Sequence, residues 1–272
     1  MATIGIIGLG KMGHAMARHL LAAGHAVLGS DPVEAARDAA EKLGVTLRPH
    51  PRQVALEAEL VFVVVGFDSE VETVIFGQDG LVHAARPGLT VGICSTVSPT
   101  YARKIERRLR DTGIVLLDLP STRGEQAMEA GEVLILGGGD KVAFERWTPV
   151  LETFASDIFF LGPFGAGQAG KLVNNLILWS CIAANDEGLR LGEALGVAPD
   201  LLRGALHKSS AQNNAMSTRA EDRPLPWAEK DMMMVLSEAD RAGMSLPLSG
   251  VIKEVIKGYK LRRGIPTPKS IE

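Results

Sequence analysis

The chain has 272 residues, 46% hydrophobic and 22% charged, with a net charge of −3 at pH 7. That length suffices for one large domain or two ordinary ones, and the slight negative charge gives no general attraction to nucleic acid or to an anionic membrane. Its two cysteines, Cys94 and Cys181, lie far apart, which leaves no basis for a disulfide framework or a zinc site, so no metal is expected.

The first strand begins at Thr3, leaving no room for a secretory leader ahead of it. The densest apolar runs, 60–65 and 176–184, are too short to span a bilayer. A reducing, cytoplasmic setting is therefore expected. Short β-branched runs at 3–8, 26–30, 60–65, 90–94, 114–119, 133–136 and 158–161 predict strands. Amphipathic stretches at 12–23, 33–43 and 99–112 predict helices between them. Strands that read as nearly unbroken apolar runs, alternating with helices, predict an α/β Rossmann domain, a doubly wound and mostly parallel sheet covered on both faces.

The rhythm changes at the Gly/Pro punctuation Gly162-Pro163-Phe164-Gly165-Ala166-Gly167. A long helix over 168–195 follows, with further helices expected over 199–208, 228–242 and 248–259 and a loose tail after Gly264. The reading is a dinucleotide-binding domain over 1–163, then an all-α domain over 164–272 on a long connecting helix. The Met232-Met233-Met234 run reads as core packing. All six histidines read as surface or packing residues, because none has a carboxylate or cysteine at ligand spacing.

The first strand runs into Gly8-Leu9-Gly10-Lys11-Met12-Gly13, a G-x-G-x-x-G at a strand-to-helix turn. Gly8 permits the turn, Gly10 lets the backbone approach a pyrophosphate, and Gly13 allows helix and strand to pack closely. The helix start then offers N–H groups and positive dipole to phosphate. Asp31 ends the second strand, where a carboxylate accepts from a ribose 2′-OH and repels a 2′-phosphate. NAD is favoured, with NADP the alternative. Asp31 also suits the start of the helix that follows Pro32, and both roles can hold at once.

The stretch from Gly8 to Val27 resembles the N-terminal signature of the β-hydroxyacid dehydrogenases, the family of the 3-hydroxyisobutyrate dehydrogenases. Three more stretches match in order: Ser95-Thr96-Val97-Ser98-Pro99, then Gly165-Ala166-Gly167-Gln168-Ala169-Gly170-Lys171-Leu172-Val173-Asn174-Asn175, then Lys230-Asp231. The resemblance implies an oxidoreductase that moves hydride between a nicotinamide cofactor and the CH–OH carbon of a small hydroxy acid, or reduces the matching semialdehyde. It implies Thr96 and Lys230 beside the cofactor, Lys171 as general acid–base, and Asn174 and Asn175 at the substrate. It also implies a homodimer or homotetramer packed through the helical domain.

Lys171 and Asn175 are four residues apart on a predicted helix and so share a face. The apolar neighbours Leu172, Val173 and Leu176 strip solvent from the lysine, which favours its neutral form and suits it to proton transfer. Asp118-Leu119-Pro120-Ser121-Thr122-Arg123-Gly124 departs from the family's D-x-P-V-S-G-G substrate loop, with Arg123 in place of a glycine. Thr122 and Gly124 are read as substrate-binding. Arg123 either clamps a second anionic group on the substrate or points to solvent. The region from Ser209 to Trp227 is short for the family, which loosens the assignment of Lys230. Three competing readings stand beside the dehydrogenase. Imine reductases typically lack the lysine. A non-catalytic dinucleotide sensor would need neither Lys171 nor Asn175. A 6-phosphogluconate dehydrogenase would need a larger helical domain.

Overall fold

The chain begins as β1 (Thr3–Ile7), α1 (Lys11–Ala22), β2 (Ala26–Ser30), α2 (Glu34–Leu43) and a two-residue β3 (Thr46–Leu47). It continues through α3 (Pro51–Glu57), β4 (Leu60–Val63), α4 (Asp68–Phe76), β5 (Thr90–Ile93), α5 (Pro99–Leu109) and β6 (Val115–Asp118). Then come β7 (Ser121–Thr122), α6 (Glu125–Ala130), β8 (Val133–Gly139), α7 (Lys141–Leu151) and β9 (Ala155–Gly162). The remainder is helical: α8 (Ala166–Ala194), α9 (Pro199–Leu206), α10 (Asn214–Thr218), α11 (Ala228–Arg241) and α12 (Pro247–Arg262). This computed structural model describes residues 1–218, 225 and 227–266. Of the tail expected to be loose after Gly264, residues 267–272 lie outside the described residues, as does most of the 219–226 segment before Trp227.

The sheet order is β3-β2-β1-β4-β5-β6-β8-β7, with β9 beside β8. The first six strands are parallel; β8 runs antiparallel to β6 and β7 and parallel to β9. The fold is thus the doubly wound, mostly parallel Rossmann sheet, with two reversed strands, β8 and β9, at one side. Both faces are covered. Ile4, Ile6, Leu60 and Phe62 pack with Met16 and Leu20 of α1 and Trp147 of α7. On the other face Val61, Val63, Val91 and Ile93 pack with Val54 of α3, Ile75 of α4 and Ile105 of α5. Successive strand residues point to opposite faces, so a strand buried on both must be apolar throughout. That is why the runs carry no alternation.

The strand order reverses between β1 and β4, and the loops leaving the parallel strands emerge on one edge there, the usual place for a ligand on such a sheet. Residues 8–10, 31, 95–97, 119–120 and 123–124 lie on those loops, beside the start of α1, the end of β6 and β7.

The chain divides into two compact units, Met1–Lys171 and Leu172–Glu272. The boundary read at Phe164 from the change of rhythm lies earlier. The first turn of α8 packs on the sheet: a side chain on Gly167 would overlap the Leu136 carbonyl, and one on Gly170 would meet Leu161. The second unit has its own core of Trp179, Ile182, Ala228, Met232, Ile252 and Ile256. Of the three consecutive methionines only Met232 is fully buried; Met233 is exposed, as a 3.6-residue period requires. Among the described residues no helix is long and apolar enough to cross a membrane.

Candidate active site

The glycine loop is shaped by close approach. Gly8 has φ +98°, and a Cβ there would overlap the Val64 carbonyl, while one at Gly13 would overlap the Gly8 carbonyl. At Gly10 a Cβ would meet nothing within 4 Å: the space beside that backbone is open. Gly10 is also the extended N-cap of α1, where no side chain caps the helix and no acid lies in the first turn. An open cradle at an uncapped helix start fits a pyrophosphate. Met12 packs on the core, and exposed Lys11 pairs with Glu125 at 3.1 Å.

Asp31 is tied to its own loop on both sides. One carboxylate oxygen accepts from Leu9 N at 2.7 Å and the other from Val33 N at 2.8 Å. The carboxylate therefore stands against the glycine turn, and it also anchors the entry to α2. Arg37 donates to the Asp31 and Pro32 carbonyls at 2.9 Å, stiffening the same corner.

At the end of β5, Ser95 is buried and its Oγ accepts from Val65 N at 2.9 Å. Thr96 is half-buried between buried Ser95 and Val97. At the end of β6, Asp118 is wholly buried, and its Oδ2 accepts from Gln168 N at 2.8 Å. Burial pushes the Asp118 carboxyl up to about 6, against the pull of the Gln168, Gly165 and Gly167 backbone N–H groups. Side chains on Gly138 or Gly167 would run into this carboxylate. The two glycines make room for an acid at the start of α8, where the helix dipole favours negative charge.

Lys171 lies in the first turns of α8, and its Nζ donates to the Ser121 carbonyl at 2.6 Å. The ammonium therefore sits against the loop read as substrate-binding. Thr122 is buried and paired with Leu134 across β7 and β8, and Gly124, at φ +82°, is the N-cap of α6.

Arg123 has φ +78°, the sole positive φ outside glycine among the described residues. Its guanidinium reaches Asp157 at 2.7 Å, Ser156 Oγ at 2.8 Å and the Glu132 carbonyl at 2.9 Å. The side chain is exposed, as the solvent reading has it, and its guanidinium is engaged by Ser156 and Asp157 of β9.

In the second unit, Asn174 donates to Asn175 Oδ1 at 3.0 Å, and Asn175 is buried. On α11 Lys230 lies between two buried acids. Glu229 pairs with buried Lys260 at 2.9 Å, and Asp231 accepts from Trp179 Nε1 at 3.0 Å. The Lys230 ammonium stands 5.7 Å from the Trp227 ring centre. A cavity of about 260 Å³ in this unit, lined by Asn185, Arg190, Glu193 and Tyr259 among others, holds none of the residues read as functional. Among the described residues no cluster of His, Cys, Asp and Glu could hold a metal.

Sequence reasoning assigned no role to Asp118 or Gln168, although both stand in the quoted motifs. The signals were present: an acid closing an apolar strand, and a long amide between small residues at a helix start.

Residues 3–162 match the family model for the NAD-binding domain of 6-phosphogluconate dehydrogenase. Residues 165–264 match that described as NAD-binding of NADP-dependent 3-hydroxyisobutyrate dehydrogenase. The chain is 31% identical over 265 residues to a 2-(hydroxymethyl)glutarate dehydrogenase of Eubacterium barkeri, covering 94% of this chain and 88% of that protein. It is 35% identical over 216 residues to an NAD-dependent L-serine dehydrogenase of Pseudomonas aeruginosa, covering 79% and 72%. Among solved structures, a 3-hydroxyisobutyrate dehydrogenase of Mycobacterium tuberculosis with L-serine superposes with a TM-score of 0.86 at 26% identity, over 97% of this chain and 96% of that one.

Proposed function

The chain belongs to the β-hydroxyacid dehydrogenase family, and from that premise we propose that it oxidises the CH–OH carbon of a small anionic β-hydroxy acid, or reduces the matching semialdehyde, with Lys171 as the general acid–base. The observation that carries this reading is the 2.6 Å hydrogen bond from Lys171 to the Ser121 carbonyl, at the head of the 121–124 loop. A carbonyl accepts an N–H from either form of the lysine, so the neutral amine held there keeps its lone pair to take the hydroxyl proton, and the ammonium held there can return one.

When bound, the nicotinamide accepts or returns hydride at the carbon bearing the hydroxyl. The chain's own part is to hold and to move the proton. The 8–13 loop and the start of α1 receive the pyrophosphate, Asp31 the adenosine ribose, and Thr96 and Lys230 the nicotinamide end. Thr122, Gly124 and the Arg123 backbone receive the substrate carboxylate. Lys171 Nζ accepts the hydroxyl proton, and Asn174 and Asn175, one turn further along α8, orient the substrate oxygens. In this division of labour 1–163 binds the cofactor, and 164–272 completes the substrate site and associates with a second copy. The free cysteines Cys94 and Cys181 suit a reducing cytoplasm.

The experiment is spectrophotometric. Reduction of NAD and of NADP is followed with 3-hydroxyisobutyrate, L-serine and 2-(hydroxymethyl)glutarate, for the wild type and for Lys171→Ala. Expected are turnover with NAD in preference to NADP, from the Asp31 carboxylate, and a kcat lower by roughly 10²–10⁴-fold in the variant with cofactor affinity little changed. Near-normal turnover in the variant removes Lys171 from the chemistry. No turnover by the wild type with retained NAD binding favours the sensor or the imine reductase, and a wild type that prefers NADP overturns the role given to Asp31.

A further inference from the structure

We propose that Gln168 is a positioning residue whose buried side-chain amide clamps the backbone on both sides of Thr96 to the first turn of α8, so that the cofactor-facing loop and Lys171 are held in one frame. The inference rests on the reading of Thr96 and Lys171 given above.

Gln168 is 1% exposed, and every polar group of its amide end is directed. Its Oε1 accepts from Val97 N at 3.0 Å, and its Nε2 donates to the Ser95 carbonyl at 3.0 Å. Its backbone N–H donates to Asp118 Oδ2 at 2.8 Å. One side chain thus grips the residue before Thr96 and the residue after it, while its own backbone is pinned to the end of β6. Ser95 is fixed in turn from β4, through Val65 N and the Val63 carbonyl. Lys171 follows three residues later, one turn along the same helix.

A side chain offering one acceptor and one donor at its tip is required to satisfy an N–H and a C=O that flank a single residue. Glutamine meets both at this reach. Asparagine is one methylene short, methionine offers neither group, and ionised glutamate would set a charge against the Ser95 carbonyl. The neighbouring glycines let the helix approach closely enough: a Cβ on Gly167 would overlap the Leu136 carbonyl and stand 2.8 Å from Asp118 Oδ2. Hydride transfer and proton transfer act on one carbon–oxygen bond of the substrate. The spacing between the cofactor loop and Lys171 is therefore a catalytic dimension, and a misplacement of about 1 Å is enough to cost roughly 100-fold in rate.

The test uses Gln168→Met and Gln168→Glu in the full chain. In cofactor-free Gln168→Met, hydrogen exchange at the Val97 amide should speed up by roughly 10-fold or more, with the β1 amides unchanged. With L-serine or 3-hydroxyisobutyrate as the probe substrate, kcat should fall roughly 10- to 100-fold. KM and the calorimetric Kd for NADH should stay within about 3-fold. Gln168→Glu supplies a rescue. A buried glutamate that faces a carbonyl holds its proton to higher pH, and the protonated form again has one donor and one acceptor. The activity of Gln168→Glu relative to wild type at each pH should therefore rise as pH is lowered from about 8 to about 6. Wild-type exchange at Val97, undiminished kcat in folded Gln168→Met, or a flat pH ratio for Gln168→Glu overturns the proposal. If Gln168→Met fails to fold, the pH ratio carries the test. Should Lys171→Ala prove fully active, the catalytic assignment falls and exchange at Val97 still decides whether the clamp exists. Should Lys171→Ala be inactive while Gln168→Met turns over normally, the clamp alone falls.

Discussion

The two units of the chain solve burial differently. In the sheet unit helices cover both faces of the central strands with aliphatic and aromatic residues, and buried polar groups such as Ser95, Asp118 and Gln168 gather at strand ends and at the start of α8. The helical unit is mixed. It buries a lysine and a glutamate against each other, Lys260 at 1% and Glu229 at 7% side-chain exposure, and an aspartate on an indole. Yet it leaves Val173, Ile177 and Leu191 of α8 exposed, as well as Leu195 just past its end, Leu201, Leu248 and Val251. The central strands, covered on both sides, leave little apolar surface to pair, and the exposed apolar side chains of the sheet, Phe159 and Leu161, lie on β9. A small helical layer around one long helix cannot cover all of that helix, so it sets polar pairs inside and keeps an apolar stripe outside.

That contrast can be broken most strongly at the buried ion pair. Lys260→Met leaves Glu229 buried and uncompensated, and should cost roughly 3–5 kcal/mol of stability in urea unfolding. The double change with Glu229→Leu should recover most of that loss, because an apolar pair carries no desolvation penalty. A single variant as stable as wild type would mean that the pair is not buried as described.

Next in size is the stripe on α8. Val173 and Ile177 are one turn apart, and Leu191 and Leu195 repeat the step further along, a seam suited to a second copy of the same helix. Ile177→Glu should lower the association state seen by sedimentation while leaving the far-ultraviolet circular dichroism unchanged. A wild type that sediments as a monomer at tens of micromolar would instead leave the stripe without a partner.

The smallest effect is expected at Arg123, in the sheet unit. Its left-handed backbone costs about 1 kcal/mol, and its exposed pair with Asp157 returns at most about 1 kcal/mol. Arg123→Gly should therefore change stability by less than about 1 kcal/mol in either direction. It should also leave KM for a dicarboxylate hydroxy acid such as 2-(hydroxymethyl)glutarate within about 3-fold, because the guanidinium is engaged by Asp157 and Ser156. A rise of more than about 10-fold in that KM would show that the side chain leaves β9 to grip the substrate.

Much of this protein could be read from local chemistry. A strand buried on both faces must be apolar at every position, so β1, β2, β4, β5 and β6 stood out as runs. A long periodic stretch entered through glycines marked α8; the glycine loop and Asp31 were read from their places at strand ends, and Lys171 from the family resemblance together with its apolar neighbours. The two-residue strands β3 and β7 and the short α3, α4 and α6 could not be read in this way. Segments of that length draw their stability from what they pack against rather than from their own propensity. The reversed direction of β8 and the hold of β9 on Arg123 depend on which backbones the sheet order sets side by side. Gln168 makes the distinction plainest. Its residue type declares one donor and one acceptor, but the groups that use them lie more than 70 residues earlier in the chain. Residue type determines what a side chain can bond; tertiary structure decides with what, because only the folded backbone brings the loop after β5 and the start of α8 within 3 Å of each other.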